Sequence, residues 1–317
     1  MTTEKLNQSE VQAFIHEHFG DRAGDVTSLS GGDWSQAYAL SLDGKQVVAR
    51  FGNHGEDYKK DQIASGWASD ELPIPEIFEL KETKVGFFAL SNRARGDFLD
   101  ELGGEQIKTV LPSLFRTMDA IHGIDISSAE GYGNWGSNGH GPQKTWREAL
   151  LHKFEGDPPT HRTHGWRVAL EASPGGTRDF DAALKVLEQL AERMPTERHV
   201  IHNDLLNHNV LVQGDKISAV LDWGNSMYGD YLYDAAWLLY CQPRYTSWPE
   251  LDLAGELRRH WEASGSVPDD LEARLLCYQI HVGLDAQSYA AYRGNWDQLR
   301  LNTEQTMKLV ETAKGIS

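Results

Sequence analysis

His202-Asn-Asp-Leu-Leu-Asn-His-Asn209, followed by Leu221-Asp-Trp-Gly224, is the stretch from which the rest of the chain can be read. Its first part has the form H-x-D-x-x-x-x-N. It follows the apolar run His199-Val-Ile-His202. It precedes Asn209-Val-Leu-Val212 and Ile217-Ser-Ala-Val-Leu221, which flank the turn residues Gln213-Gly-Asp-Lys216. These signals predict a β-hairpin across 209–221. Such a hairpin folds Asp222 back beside Asn209, while Asp204 and Asn209 bracket one short loop, so the three side chains can converge. Phosphoryl transfer from ATP asks for little covalent chemistry from a protein. It needs a carboxylate to orient and deprotonate the acceptor hydroxyl, and oxygen ligands for Mg²⁺ at the phosphates. Asp204 suits the first role. The amide oxygen of Asn209 and the carboxylate of Asp222 suit the second.

Upstream, the first ninety residues predict a small antiparallel sheet with one inserted helix. Val11, Phe14, Ile15 and Phe19 recur at helical spacing after Ser9, a candidate N-cap. Ser28–Leu40 opens as a glycine turn and becomes an alternating strand. Asp43-Gly44 makes a tight turn into Gln46–Phe51, a hairpin signal. A polar helix over about 56–69 ends at Leu72-Pro-Ile-Pro75, and a second strand pair covers Glu76–Leu80 and Gly86–Leu90. Beyond that the chain reads as mostly helical. Ile107, Val110, Leu111, Leu114, Phe115, Met118 and Ile121 mark one buried helix face. Further helices are expected around 143–154, 179–193, 230–240, 252–263, 269–292 and 300–314. Gly131–Pro142 is too glycine-rich for a regular element and reads as a binding loop.

Composition narrows the partners. The length, 317 residues, exceeds the usual single hydrophobic core, so two lobes are expected. The formal net charge of −17 repels nucleic-acid phosphates and anionic lipid, which disfavours both as partners. No apolar run is long enough to span a bilayer, and the first ten residues lack the apolar stretch of a secretory signal. Cys241 and Cys277 have no C-x-x-C partners, so neither a disulfide framework nor a cysteine zinc site is expected. A cytoplasmic protein, monomeric or weakly dimeric, is the expectation. His16 and His18 point to different helix faces, and His161 and His164 have no nearby acidic or cysteine partner, so these are not read as metal ligands.

His202-Asn-Asp204, Asn209-Val-Leu211 and Leu221-Asp-Trp223 resemble the loop and metal motif of the aminoglycoside phosphotransferase family, which shares the protein-kinase-like fold. The resemblance extends over nearly the whole chain. Leu29-Ser-Gly-Gly32, Leu72-Pro-Ile-Pro-Glu76, Ala94-Arg-Gly96, Met118-Asp-Ala-Ile121, Gly131-Tyr-Gly133, Thr145-Trp-Arg147, Met227-Tyr-Gly-Asp230 and Gly283-Leu-Asp285 look most like the hygromycin B branch. The resemblance implies an α+β, bilobal architecture. Residues 1–91 would form a nucleotide-binding lobe, 92–98 a hinge, and 99–317 a catalytic and substrate-binding lobe. It makes Asp204 the catalytic base and Asn209 and Asp222 the Mg²⁺ ligands. His202 and Asp234 become structural supports of the loop. Asn203 departs from the glycine common at its position, which the chemistry does not require.

At the nucleotide end, Arg50 stands where kinases place the strand lysine that reaches the ATP phosphates, and a guanidinium can pair with phosphate oxygens in two-pronged fashion. A surface strand arginine is the alternative. Asp61 or Asp57 is the candidate acidic partner. Gly31 and Gly32 resemble a phosphate-covering turn, and the backbone of Ser91, Asn92 and Arg93 is the candidate contact to the base of ATP (or GTP). A polycationic antibiotic would need carboxylates and flat surfaces. By resemblance Asp285 is the candidate ammonium contact, with an ordinary exposed helix acid as the alternative. Tyr132, Asn134 and Trp135 would line the acceptor pocket. Two other functions remain open. One is a kinase of the same fold acting on a metabolite such as an amino sugar, a choline-like alcohol or a fructosamine. The other is a non-catalytic pseudokinase, against which the intact Asp204, Asn209 and Asp222 set argues.

Overall fold

The computed structural model describes residues 6–29, 34–84, 86–159 and 161–315. Gly31 and Gly32 fall outside these. The first elements are α1 (Gln8–Phe19), β1 (Thr27–Ser28), β2 (Ser35–Leu42), β3 (Lys45–Gly52), α2 (Gly55–Ser65), β4 (Ile77–Thr83), β5 (Gly86–Asn92) and β6 (Asp97–Phe98). They are followed by α3 (Gly104–His122), β7 (Gly133–Asn134), α4 (Trp146–His152), α5 (Trp166–Glu171), α6 (Arg178–Ala191), β8 (His199–Ile201), β9 (Val210–Gln213), β10 (Lys216–Val220) and β11 (Met227–Gly229). The chain ends in α7 (Leu232–Cys241), α8 (Leu253–Ser264), α9 (Leu271–Tyr292) and α10 (Trp296–Ala313). Two compact units emerge. One holds the described residues up to Leu102, with Gly136–Gly139 and Leu206–Asn225. The other holds Gly103–Trp135, His140–Leu205 and the described residues from Ser226 onward.

In the first unit an antiparallel sheet runs in the order β1-β2-β3-β5-β4. Asp43 and Gly44, at φ 50° and 79°, form the two-residue turn between β2 and β3. Positive φ at both turn positions matches the twist of the flanking strands, which is why Asp-Gly serves there. Helix α1 contributes Val11 and Ile15 to a core shared with Tyr38, Leu40, Val47, Phe51, Phe88 and Leu90. Its cap is Asn7 instead of the expected Ser9. The Asn7 side chain accepts the Glu10 N–H while the Glu10 carboxylate accepts the Asn7 N–H, and this reciprocal pair outcompetes a lone serine. A second sheet, β10-β9-β6, brings residues 206–225 into this unit. The Val220 N–H also donates to the Pro73 carbonyl at 2.8 Å.

The second unit is mainly helical. Helix α3 buries the face read from its spacing, Ile107 through Ile121. Helix α9 is buried on most sides, as a central helix must be. Gly283 permits its close approach to neighbours: a Cβ there would lie 2.2 Å from Thr306 Oγ1 and 3.0 Å from a Tyr240 ring carbon. Cys241 and Cys277 are buried free thiols on α7 and α9. The glycine-rich stretch is not wholly loop. Gly133 and Asn134 form β7, which pairs with β11, and β11 pairs in turn with β8.

Two aspartates near the start of α7 hold this unit's interior. Asp230, 1% exposed, receives Arg274 Nε at 2.8 Å and Nη2 at 2.6 Å, together with the Tyr278 hydroxyl. Asp234, also 1% exposed, has no cation in its bonds. It accepts the backbone N–H of His202 at 2.9 Å and of Asn203 at 2.7 Å. Burial pushes its carboxyl up to about 6, against the pull of those two donors.

The two environments predict different failures. Arg274→Met leaves Asp230 charged and dry, so urea unfolding should show a loss of about 3–5 kcal/mol; a loss within error of zero would refute the pairing. For Asp234 the folded carboxyl binds its proton more tightly than the unfolded one. Its stabilising contribution is complete below about pH 4 and is lost as the pH rises through about 6. The difference in unfolding free energy between wild type and Asp234→Asn should therefore fall across that window. A difference that stays flat or rises would contradict the assignment.

Candidate active site

The first unit holds Arg50 and Asp61, residues expected at the nucleotide end. Arg50 lies on β3, and its guanidinium donates to Asp61 on α2. Its Cζ stands 5.1 Å from the centre of the Tyr58 ring. Asp61, not Asp57, is therefore the acidic partner, and Arg50 is not a free surface residue. Burial works against the Arg50 charge, yet Asp61 and neighbouring groups raise its affinity for the proton overall. For Asp61 itself, burial pushes the carboxyl up while Arg50 pulls it down.

Asp61 has a second task. Its other oxygen accepts the Trp223 N–H at 2.7 Å, in the peptide that follows Asp222. One residue earlier, Lys60 donates from Nζ to the Gly224 carbonyl at 2.8 Å. Gly224 also approaches α2 closely, since a Cβ there would lie 2.9 Å from Asp57 Cγ. Asp57, Lys60 and Asp61 fall one turn apart and so face the same segment. Asp222 is left-handed at φ 56°, a conformation that is uncommon for a residue with a side chain.

The hairpin does what its sequence predicts. β9 and β10 pair from Gln213↔Lys216 to Val210↔Val220, with a bulge near Ile217 and Ala219. The Leu221 N–H then donates to the Asn209 carbonyl at 2.7 Å. Asp222 thus directly follows a residue bonded to Asn209. Asn209 is itself buried. An amide oxygen and a carboxylate are the hard-oxygen donor types that suit Mg²⁺.

The second unit positions Asp204. His202 is fully buried, and its Nδ1 accepts the Asp204 N–H at 3.2 Å. That bond leaves the ring proton on Nε2 and excludes Nδ1 as a base. With the two Asp234 bonds, the backbone of 202, 203 and 204 is held at three consecutive N–H groups. Asn203 is left-handed at φ 63°, so the glycine usual there is replaced by a residue type that tolerates this region.

The other expected site residues have these surroundings. β5 extends to Asn92, so Ser91 is flanked by Val48 and Ile77 within the sheet. The Asn92 N–H donates to Glu76 O at 3.1 Å and the Arg93 N–H to Gln46 O at 3.2 Å, so neither donor is available to a base. Trp135 is 0% exposed and stacks on Tyr228 at 5.7 Å; it is a core residue and lines no acceptor surface. Tyr132 donates its hydroxyl to Thr196 O at 2.6 Å, and Asn134 is exposed on β7. Asp285 is half-buried and already paired with Lys153, whose ammonium more than offsets burial and holds the carboxyl below its ordinary range. The Lys60 contact was missed because nothing in a polar helical run marks one lysine for burial.

With this geometry in hand, the comparisons with known proteins are specific. A family model described as the phosphotransferase enzyme family matches residues 25–276. The chain is 31% identical over 299 residues to a hygromycin-B 4-O-kinase from Escherichia coli, covering 94% of this chain and 83% of that protein. It superposes on the crystal structure of the aminoglycoside phosphotransferase APH(4)-Ia with a TM-score of 0.84 and 29% identity, covering 96% of this chain and 99% of that one. A thermostable mutant of the same enzyme, in ternary complex with AMP-PNP and hygromycin B, matches at 0.83 and 28%, over 96% and 99%. The expected protein-kinase-like architecture is thereby established, with its antiparallel sheet and its mainly helical part. Motif, fold and near-complete coverage agree, and the chain belongs to the phosphotransferase enzyme family, as a kinase acting on a hydroxyl group.

Proposed function

We propose that this protein transfers the γ-phosphate of ATP to a hydroxyl of an aminocyclitol antibiotic, hygromycin B or a relative, and so confers resistance from within the cytoplasm. Likeness over nearly the whole chain to a hygromycin-B 4-O-kinase carries the reading, with His202, Asp204, Asn209 and Asp222 all present in their motif. Among the described residues no helix is long and apolar enough to cross a membrane.

In this reading Asp204 accepts the proton of the acceptor hydroxyl as the oxygen attacks phosphorus. Its backbone is held by His202, and the loop by Asp234, so little reorganisation accompanies the reaction. Asn209 and Asp222 would hold Mg²⁺, which when bound would neutralise charge on the nucleotide phosphates. Arg50, kept in place by Asp61, supplies the guanidinium for those phosphates.

One observation supports a second reading, a neutral metabolite as acceptor. The Asp285 carboxylate already carries the Lys153 ammonium, so an antibiotic amine would have to share or displace it. ADP release measured over a panel of aminoglycosides, amino sugars and neutral polyols separates the two. Stimulation by hygromycin B or a relative is expected; stimulation by neutral metabolites alone would end the antibiotic assignment and leave the kinase assignment standing.

Two variants test the residues. Asp204→Asn should lower turnover by about 10²–10⁴-fold while Mg·AMP-PNP still binds, because the acid acts on the hydroxyl and not on the nucleotide. Near-normal turnover would remove Asp204 from the base role. Asp285→Asn should weaken antibiotic binding by about 1–3 kcal/mol and flatten the rise of antibiotic KM with ionic strength, leaving the KM for ATP alone. An unchanged salt dependence would place the ammonium contact elsewhere.

A further inference from the structure

Helix α2 reads as a polar surface helix, yet it buries Lys60 to 1% exposure and Asp61 to 4%. A lysine ammonium taken out of water carries a penalty of several kcal/mol unless bonds replace the lost hydration. A methionine of similar length would fill the same space without that penalty. Packing alone therefore does not explain the charge. The ammonium reaches the Gly224 carbonyl, two residues beyond Asp222.

The placement of that bond matters. The direction of the Trp223 N–H is set by the ψ angle of Asp222, and Asp61 fixes it. The Gly224 carbonyl fixes the far end of the same short segment, and Lys60 holds that. Two successive residues of one rigid helix thus grip two successive residues after Asp222. Asp222 is held in a left-handed conformation that a side-chain-bearing residue adopts only when its surroundings over-determine it. Asp57, one turn earlier, closes the approach against Gly224.

We propose that Lys60 is a positioning residue for the metal aspartate. By holding the Gly224 carbonyl it keeps Asp222 turned toward Asn209, and so sets how strongly the metal contributes to nucleotide binding. It touches neither substrate nor phosphate in this role. The inference rests on the reading of Asp222 as a Mg²⁺ ligand.

The test measures binding without turnover. AMP-PNP affinity is determined by titration calorimetry with Mg²⁺ and again with EDTA, and the ratio of the two gives the metal's contribution. Lys60→Met should lower that ratio about tenfold, as for other residues that orient a metal ligand, and leave the metal-free affinity unchanged. Asp222→Asn is the control. If Asp222→Asn leaves the ratio at the wild-type value, the metal reading itself is wrong. If Asp222→Asn lowers it and Lys60→Met does not, the metal reading stands and the role of Lys60 is refuted, even where Lys60→Met lowers the melting temperature. Should Lys60→Met not fold by circular dichroism, Lys60→Gln is measured in the same way. Failure of both to fold would show that Lys60 serves the fold instead and would also overturn the proposal.

Discussion

The carboxylate of Asp61 is shared between two groups that have no bond to one another: the Arg50 guanidinium on β3 and the Trp223 N–H beyond the hairpin. Without Asp61, Arg50 would lose its ion-pair partner beside Tyr58, and the segment after Asp222 would lose its Trp223 anchor. One acid thus couples the candidate phosphate contact to the candidate metal ligand. The arrangement also explains the register of α2. The helix must present Asp57, Lys60 and Asp61 to the same side, and its burial is bought with polar contacts in place of an apolar stripe.

The second unit solves a related problem differently. Asp230 and Asp234 are equally buried and sit four residues apart, yet one is neutralised by Arg274 and the other by peptide dipoles. An ion pair suits a place where only cohesion is needed. Backbone N–H donors suit a loop whose exact path matters, because they tie the carboxylate to main-chain atoms that cannot rotate away. His202 continues that tie to Asp204. His281 extends the polar interior, taking the Tyr233 hydroxyl on Nδ1 at 2.7 Å, and burial lowers its imidazole to about 4, so it stays neutral.

Much of this was legible in the chain itself, where the determining interactions are local. The Asp43-Gly44 turn, the 210–220 hairpin and the buried face of α3 each follow from a few adjacent or periodic residues. The motif around Asp204 was readable because its spacing is short and its context regular. What escaped was decided by partners far away in sequence. Asp57 and Asp61 could not be told apart until the fold placed one under Arg50 and the other against Gly224. Trp135 looked available in a glycine-rich stretch, and only its stack on Tyr228 shows it to be core. Ser91 and Asn92 were expected to offer their backbone to the base because strand ends carry no local marker, whereas the pairing of Ser91 with Val48 and Ile77 and of Asn92 with Val47 keeps them in the sheet. The burial of Lys60 broke the rule that charge marks a surface.

The two thiols described above give the chain an internal gauge of its own opening. Burial pushes the Cys241 thiol up to about 12 and the Cys277 thiol higher still, so the nucleophilic thiolate is scarce in the native state at neutral pH. A small alkylating reagent can reach them only when α7 or α9 parts from its neighbours. The rate of modification then counts those excursions. Because the thiols sit on different helices, uneven labelling would distinguish a local loosening of one helix from a cooperative opening of the whole unit.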